Sequence, residues 1–367
     1  MRTRNHPSEL GFLAVAGVVA GLDLLLEAIG LVVRYYQSGV DGDLGWRFDA
    51  GVVLPALLLA LLYAAGLRNS SKQAAEHSRI WRHFAFFSGL AIVLLALESP
   101  FDAIADGLFV AHQLQHMTLA MIVPLLIVLA EPQAMLLRGL PRAVRRSIVR
   151  SFFGSRLFSV LRMIAHPAVA TLLYIGINYF WMLPRIHDFA LENEPIHDLL
   201  HATLLAAGLI FFWRGLDPRP YPLGPSLGAR LFMFWLAAMS DILLGSFLAF
   251  KSVSLYLAYG PSPHLFGISA LDDELYGGLT MWIPGGGMFA FATVLAIRRM
   301  ASDEERRTAH LPDAVAVTTA ESFARQHAAN RKMALGLAAF AVVVVLITIA
   351  TAVLYHYATS HALLALR

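Results

Sequence analysis

The chain contains no cysteine among its 367 residues. That excludes disulfides, zinc ribbons, thiolate clusters and c-type haem attachment, so a metal site here draws on His, Met, carboxylate or backbone ligands. Charge is scarce as well. Only 14% of the residues are charged and 58% are hydrophobic, whereas soluble domains carry about 25% charged residues. A chain this apolar cannot be solvated on every side, and its mean hydropathy of +0.63 points to an integral membrane protein. The net charge of +3 gives no reason to invoke nucleic acid. Strand periodicity and internal repeats are also missing, and no stretch is large enough for a separate soluble domain. Residues 1–367 therefore read as a single integral membrane domain. The first apolar run continues past signal-peptide length without a small-residue cleavage site, and reads as a retained helix.

What the chain does have is long apolar segments. A membrane span needs roughly 20 mostly apolar residues, and nine segments qualify: about 10–33, 50–67, 83–98, 107–130, 166–184, 196–213, 230–251, 275–297 and 333–357. The expected fold is an all-α polytopic bundle of nine transmembrane helices. Basic residues collect on alternate connections, at the N-terminus and near 68–82, 131–165, 214–229 and 298–332. The stretch "MLLRGLPRAVRRSIVRSFFGSRLFSVLRM" reads as a basic amphipathic segment on the inner leaflet. The other connections are poor in base and hold Asp41, Asp43, Asp49, Asp102, Asp106, Glu192, Glu194, Asp272, Asp273 and Glu274. Basic loops stay in the cytoplasm, which predicts a cytoplasmic N-terminus and a periplasmic C-terminus in a bacterial plasma membrane.

Histidines then fall at one depth. "HQLQH" sets His112 and His116 four residues apart, and "HDLLH" sets His197 and His201 at the same spacing. Four residues is just over one helical turn, so each pair shares a face. From the outer end of its span, His112 lies about 7 Å deep and His116 about 13 Å deep at the helical rise per residue. His187 sits just past the outer end of the fifth span. Met182 and Met281 lie at similar depth, while Met117 and Met121 read as packing. Asp241 is an ionisable residue inside the seventh span, placed to orient a ligand histidine from behind. Asp23 and Glu27 pose the same question in the first span. His83, His166, His310 and His327 fall on the inner side, and His264, His356 and His361 fall in outer loops or the tail. Imidazole beside thioether, with no thiolate, favours copper, with zinc as second choice. Haem between the two pairs is conceivable, but pairs lying side by side near the surface suit one small metal site better. The "IPGGG" after Met281 is expected to break or kink the eighth helix.

At these residues the chain resembles the caa3-type cytochrome c oxidase assembly factor family, the CtaG-like membrane proteins. The stretches that carry the resemblance are "LFVAHQLQHMTLAMIVPLLIVLAEP", "HPAVATLLYIGINYFWMLPRIHDFALENEPIHDLLHATLLAAGLIFFW" and "LDDELYGGLTMWIPGGGMFAFATVLAIRRM". It covers about residues 80–300, leaving the helices within 10–67 and the helix at 333–357 as additions. The resemblance implies a non-enzymatic role in maturing haem–copper oxidases, by delivering or holding copper outside the membrane, with oxidase subunits and the lipid bilayer as partners. Carried over by motif, His112, His116, His197, His201 and Met281 match the family's candidate ligand positions. Where the family has His before the Leu-Pro of the fifth span, this chain has Met182, with His187 five residues on, so either can complete the shell. Two rivals stand beside this reading: a membrane redox enzyme with haem or a catalytic metal at the same histidines, and a metal- or proton-coupled transporter using Asp23, Glu27 and Asp241.

Overall fold

A computed structural model describes residues 46–70, 80–153, 155–219, 223–259 and 267–308. The first described helix, α1 (Ala50–Arg68), starts where the Asp49 carboxylate accepts the amide of Gly51 at 2.8 Å, an N-cap that satisfies one orphan donor. After it come α2 (Ile80–Glu98) and the short α3 (Pro100–Gly107), capped by Ser99 with Pro100 at its first turn. The fourth span is built from α4 (Phe109–Met117), a π-helical turn (Thr118–Ile122) and α5 (Val123–Ala130). Short helices α6 (Gln133–Gly139), α7 (Arg142–Phe153) and α8 (Arg156–Ile164) occupy the arginine-rich segment. Then follow α9 (Pro167–Trp181), α10 (Pro184–Leu191), α11 (Glu194–Gly215) and α12 (Leu227–Phe250). A 3-10 turn (Leu257–Tyr259) precedes α13 (Ala270–Thr308). Among the described residues every regular element is helical.

Six of these units are long and apolar enough to cross a membrane: Ala50–Arg68, Ile80–Glu98, Phe109–Ala130, Glu194–Gly215, Leu227–Phe250 and Ala270–Ala301. They coincide with six of the seven segments expected in this part of the chain. The fifth differs. Its helix, α9, has only 15 residues, about 22 Å at the helical rise, and ends at Trp181 because Leu183 is forced extended ahead of Pro184. With Phe158–Ile164 it forms a pair bent by 76°, which together is apolar enough for a broken span or a re-entrant loop. The expected spans 10–33 and 333–357, with Asp23 and Glu27, lie outside the described residues, as do His264, His310, His327, His356 and His361.

The eighth segment also departs from expectation. α13 runs unbroken for 39 residues through Pro284 and the glycines after it. The amide that proline removes is outweighed by packing along the helix. α12 and α13 meet at Gly245 and Gly278, where a Cβ on Gly278 would lie 2.6 Å from the Gly245 carbonyl oxygen and 2.8 Å from the Ala249 nitrogen. Only glycine permits that approach, as at small-residue interfaces of membrane helices. Gly278→Ala is therefore expected to destabilise the bundle by about 1–3 kcal/mol, read as a lower thermal midpoint in detergent. An unchanged midpoint would mean that the helices separate without cost.

The two ends of the bundle differ in chemistry. At one end Glu131, in the left-handed region at φ 49°, pairs with Arg82 and Arg299 at 2.7 and 3.2 Å. The exposed arginines of α7 lie on the same side of the sequence alternation. The other end gathers acids: Glu98 accepts the Asp49 amide at 2.8 Å, and Arg47 reaches Asp102 and Asp106 at 3.2 and 3.1 Å. Between them, large apolar side chains such as Leu54, Leu58, Phe84, Leu172, Phe232 and Leu243 point outward, as a lipid-facing surface requires.

Candidate metal centre

The site lies at the acidic end, and α4 carries its first histidine pair. That helix lacks a side-chain cap of its own. Asp273 of α13 supplies one, its two carboxylate oxygens accepting the amides of Phe109 and Val110 at 2.7 and 2.9 Å. The capped helix presents His112 and His116, both buried, with ring centroids 4.2 Å apart. The glutamines of the same motif face different ways. Gln113 Nε2 donates to the Met182 sulfur at 3.1 Å, and Gln115 Nε2 donates to the Ala96 carbonyl and to Asp102, each at 2.7 Å.

The π-helical turn follows at once. Such turns carry one extra residue, are rare, and gather at functional sites. α11 reaches it at Gly208, where a Cβ would sit 2.2 Å from the Ala120 carbonyl oxygen. This close seat sets α11 beside α4 and brings the second pair in. The His201 ring is tilted against that of His197, with centroids 4.3 Å apart, and the His197 ring lies 5.0 Å from that of His112.

One nitrogen from each of His112, His197 and His201 falls within 4.8 Å of the others. His197 Nε2 is 3.2 Å from His112 Nε2. Among the described residues, the Nε2 atoms of both His116 and His201 are buried and without a hydrogen-bond partner, a cost that a native structure leaves standing for a reason. This donor set fits a metal ion that favours imidazole.

His187 plays a different part. It lies in the ring cluster, 5.1 Å from His112, but both of its nitrogens are engaged. Nδ1 faces the Trp181 carbonyl at 3.0 Å, which can only accept, so Nδ1 carries the proton. Burial lowers the pKa of His187 to about 4, only partly offset by that carbonyl, so the ring is neutral and Nε2 is a lone pair. The Tyr259 phenol, 2.8 Å away, donates to it. Burial raises the phenol's pKa well above its usual value, which keeps that proton in place. With its hydrogen committed, Tyr259 accepts from His112 Nδ1 at 2.5 Å. His112 therefore turns Nε2, as a lone pair, toward His197.

Two acids hold Tyr259 in position. Glu274 accepts the amides of Leu255 and Tyr256 at 3.0 and 3.1 Å, bonds the Ser254 hydroxyl and pairs with Lys251. Asp188 accepts the amides of Leu257 and Ala258, each at 3.2 Å. Fixing a ligand's tautomer from behind is worth about 10–100-fold in metal affinity, so Tyr259→Phe should weaken binding by that factor in a competition titration while the fold persists. Equal affinity in the variant would show that the tautomer is set without the phenol.

Of the remaining residues singled out in the sequence, Met182 and Met281 lie beneath the imidazoles. They line a small cavity with His116, Met117, Met121 and Asp241. Asp241 forms no hydrogen bond to a histidine among the described residues; its side chain faces that cavity. His83 bonds Tyr63 at 2.8 Å and His166 caps α9, both away from the centre. Sequence reasoning missed Tyr259, Asp273 and Glu274. The acids were visible only as outer-loop charge, and "YLAYG" carried no periodic signal.

Six apolar helices of membrane-crossing length around a buried imidazole cluster make this a multi-pass membrane protein. The chain belongs to the cytochrome c oxidase caa3 assembly factor family, which it matches over residues 61–303. An uncharacterized protein of Mycobacterium leprae is 26% identical over 250 residues, 65% of this chain and 36% of that relative. Uncharacterized proteins of Mycobacterium bovis and Mycobacterium tuberculosis are each 29% identical over 180 residues, 48% of this chain and 27% of theirs. The chain thus spans between about a quarter and a little over a third of the length of these curated relatives. No solved structure matches it.

Proposed function

We propose that the chain binds copper through His112, His197 and His201 at the periplasmic face of a bacterial plasma membrane, and holds or delivers it for maturation of a haem–copper cytochrome c oxidase. The observation that carries this reading is the triad of nitrogens within 4.8 Å in a family of oxidase assembly factors. Its position at the base-poor, acidic end of the bundle supports a periplasmic exposure. Copper is preferred to zinc because methionine sulfurs lie immediately beneath the imidazoles. A haem at these residues is disfavoured by space, since the adjoining cavity of about 10 Å³ admits roughly one water-sized occupant.

The role is binding and transfer rather than catalysis. Half-buried His197, in the first turn of α11, is the donor nearest the surface and the natural point of entry and exit. The partner is an oxidase subunit that receives the ion. The test is to purify the oxidase from cells lacking this chain and count its copper against its haem. Copper that falls while haem persists, restored by the wild-type chain but not by His197→Ala, supports delivery. An oxidase with full copper in those cells would sink it.

A further inference from the structure

The cavity beneath the triad has its own chemistry. Its lining draws methionines from three helical elements: Met117 and Met121 from the fourth span, Met182 from the C-cap of α9, and Met281 from α13. The whole chain has 12 methionines, and four of them surround a space of about 10 Å³, which holds roughly one water-sized occupant. Plain packing would not leave polar atoms among them. Yet the buried His116 Nε2, which has no hydrogen-bond partner among the described residues, belongs to a ring on this lining. Asp241 joins it there, 94% buried and without a hydrogen-bond partner among the described residues.

Three of the donors nearby are already committed. Gln113 gives its amide hydrogen to Met182, Asn178 to the Tyr174 carbonyl, and Trp181 its indole hydrogen to Thr203. The remaining polar groups on the lining are the thioether sulfurs, the His116 imidazole, the Asp241 carboxyl and the Tyr174 phenol, so acceptor lone pairs outnumber donors. Such a lining attracts a cation, and thioethers select a soft one. A single carboxylate balances one positive charge. Gly285 keeps the two kinds of donor together, since a Cβ there would lie 3.3 Å from the Met117 methyl and 3.6 Å from an Asp241 oxygen.

We propose that this cavity is a second metal site, distinct from the histidine triad, which binds a soft monovalent cation of the Cu(I) class through Met117, Met121, Met281 and His116, with Asp241 as counter-charge. Met182, whose sulfur accepts from Gln113, shapes the wall. The site stands on its own lining and does not depend on what the triad binds. His116 connects the two, its ring 4.2 Å from His112 and 5.6 Å from His201.

Silver(I), a redox-inert soft monovalent ion, is the probe. The full chain in detergent, carrying His112→Ala/His197→Ala to disable the triad, is dialysed against silver nitrate and examined by X-ray absorption. About one silver per chain with sulfur neighbours is expected. Adding Met117→Leu/Met121→Leu/Met281→Leu, a volume-conserving change, should abolish it, and Asp241→Asn should weaken it about tenfold or more. The leucine variant with an intact triad should bind Zn(II) as the wild type does, which shows that it is folded. Silver without sulfur neighbours, or silver retained by the leucine variant, overturns the second site. Loss of Zn(II) from the wild type would instead count against the triad alone.

Discussion

Loaded with copper under reducing conditions and freed of excess, the His112→Ala/His201→Ala variant is expected to lose the ion that the wild type retains at the triad. Three imidazole nitrogens meet there, and the substitution removes two of them. A single remaining imidazole is an ordinary surface ligand. Since disturbing even a supporting hydrogen bond behind a ligand costs about 10–100-fold in affinity, loss of two donors exceeds that range. The comparison is His83→Ala, at the opposite end of the bundle and bonded to Tyr63, which should load as the wild type does. Elemental analysis of both, beside a count of copper per chain, decides the matter. Full occupancy in the double variant would mean that the cluster is interhelical packing and the functional reading fails.

Glu274→Ala should have the largest effect on stability of any single change at this end. Its carboxylate is buried, pairs with buried Lys251 and gathers two amides and a hydroxyl from residues 254–256. Removing one partner of a buried pair strands the other charge, at a cost of about 3–5 kcal/mol. Thermal unfolding in detergent should show a drop of many degrees. Copper affinity should fall too, because the segment carrying Tyr259 loses its anchor. Lys251→Met with Glu274→Gln, which removes both charges, should recover much of the stability. Equal losses in the single and double variants would show that the amide contacts, not the ion pair, dominate.

Much of this was legible in advance, for physical reasons that particular residues make plain. Spans announce themselves through hydropathy, so six were found within a few residues of their observed ends. The fifth was drawn too long because a run of apolar residues hides the constraint that Pro184 puts on Leu183. Conversely, Pro284 was given too much weight: a proline in a helix clasped along its length does not stop it. The histidine pairs were legible because a helix fixes which residues share a face. Tyr259 was not, since its place depends on a loop held by Glu274 and Asp188 from elsewhere in the chain. The methionines were read as one centre with the histidines, or as packing. Their separation into a lower cavity arises from how α9, α13 and the π-helical turn converge, which no local pattern encodes.

The cap that Asp273 places on α4 joins residues 164 positions apart. During synthesis the histidine helices enter the bilayer first, with the amides of Phe109 and Val110 unsatisfied and His112 without its tyrosine. Asp273 and Glu274 arrive only with α13. A newly made chain therefore holds all three triad histidines before it can complete the cap on α4 or the hydrogen bond behind His112, and the final geometry of the cluster is set by the later part of the chain.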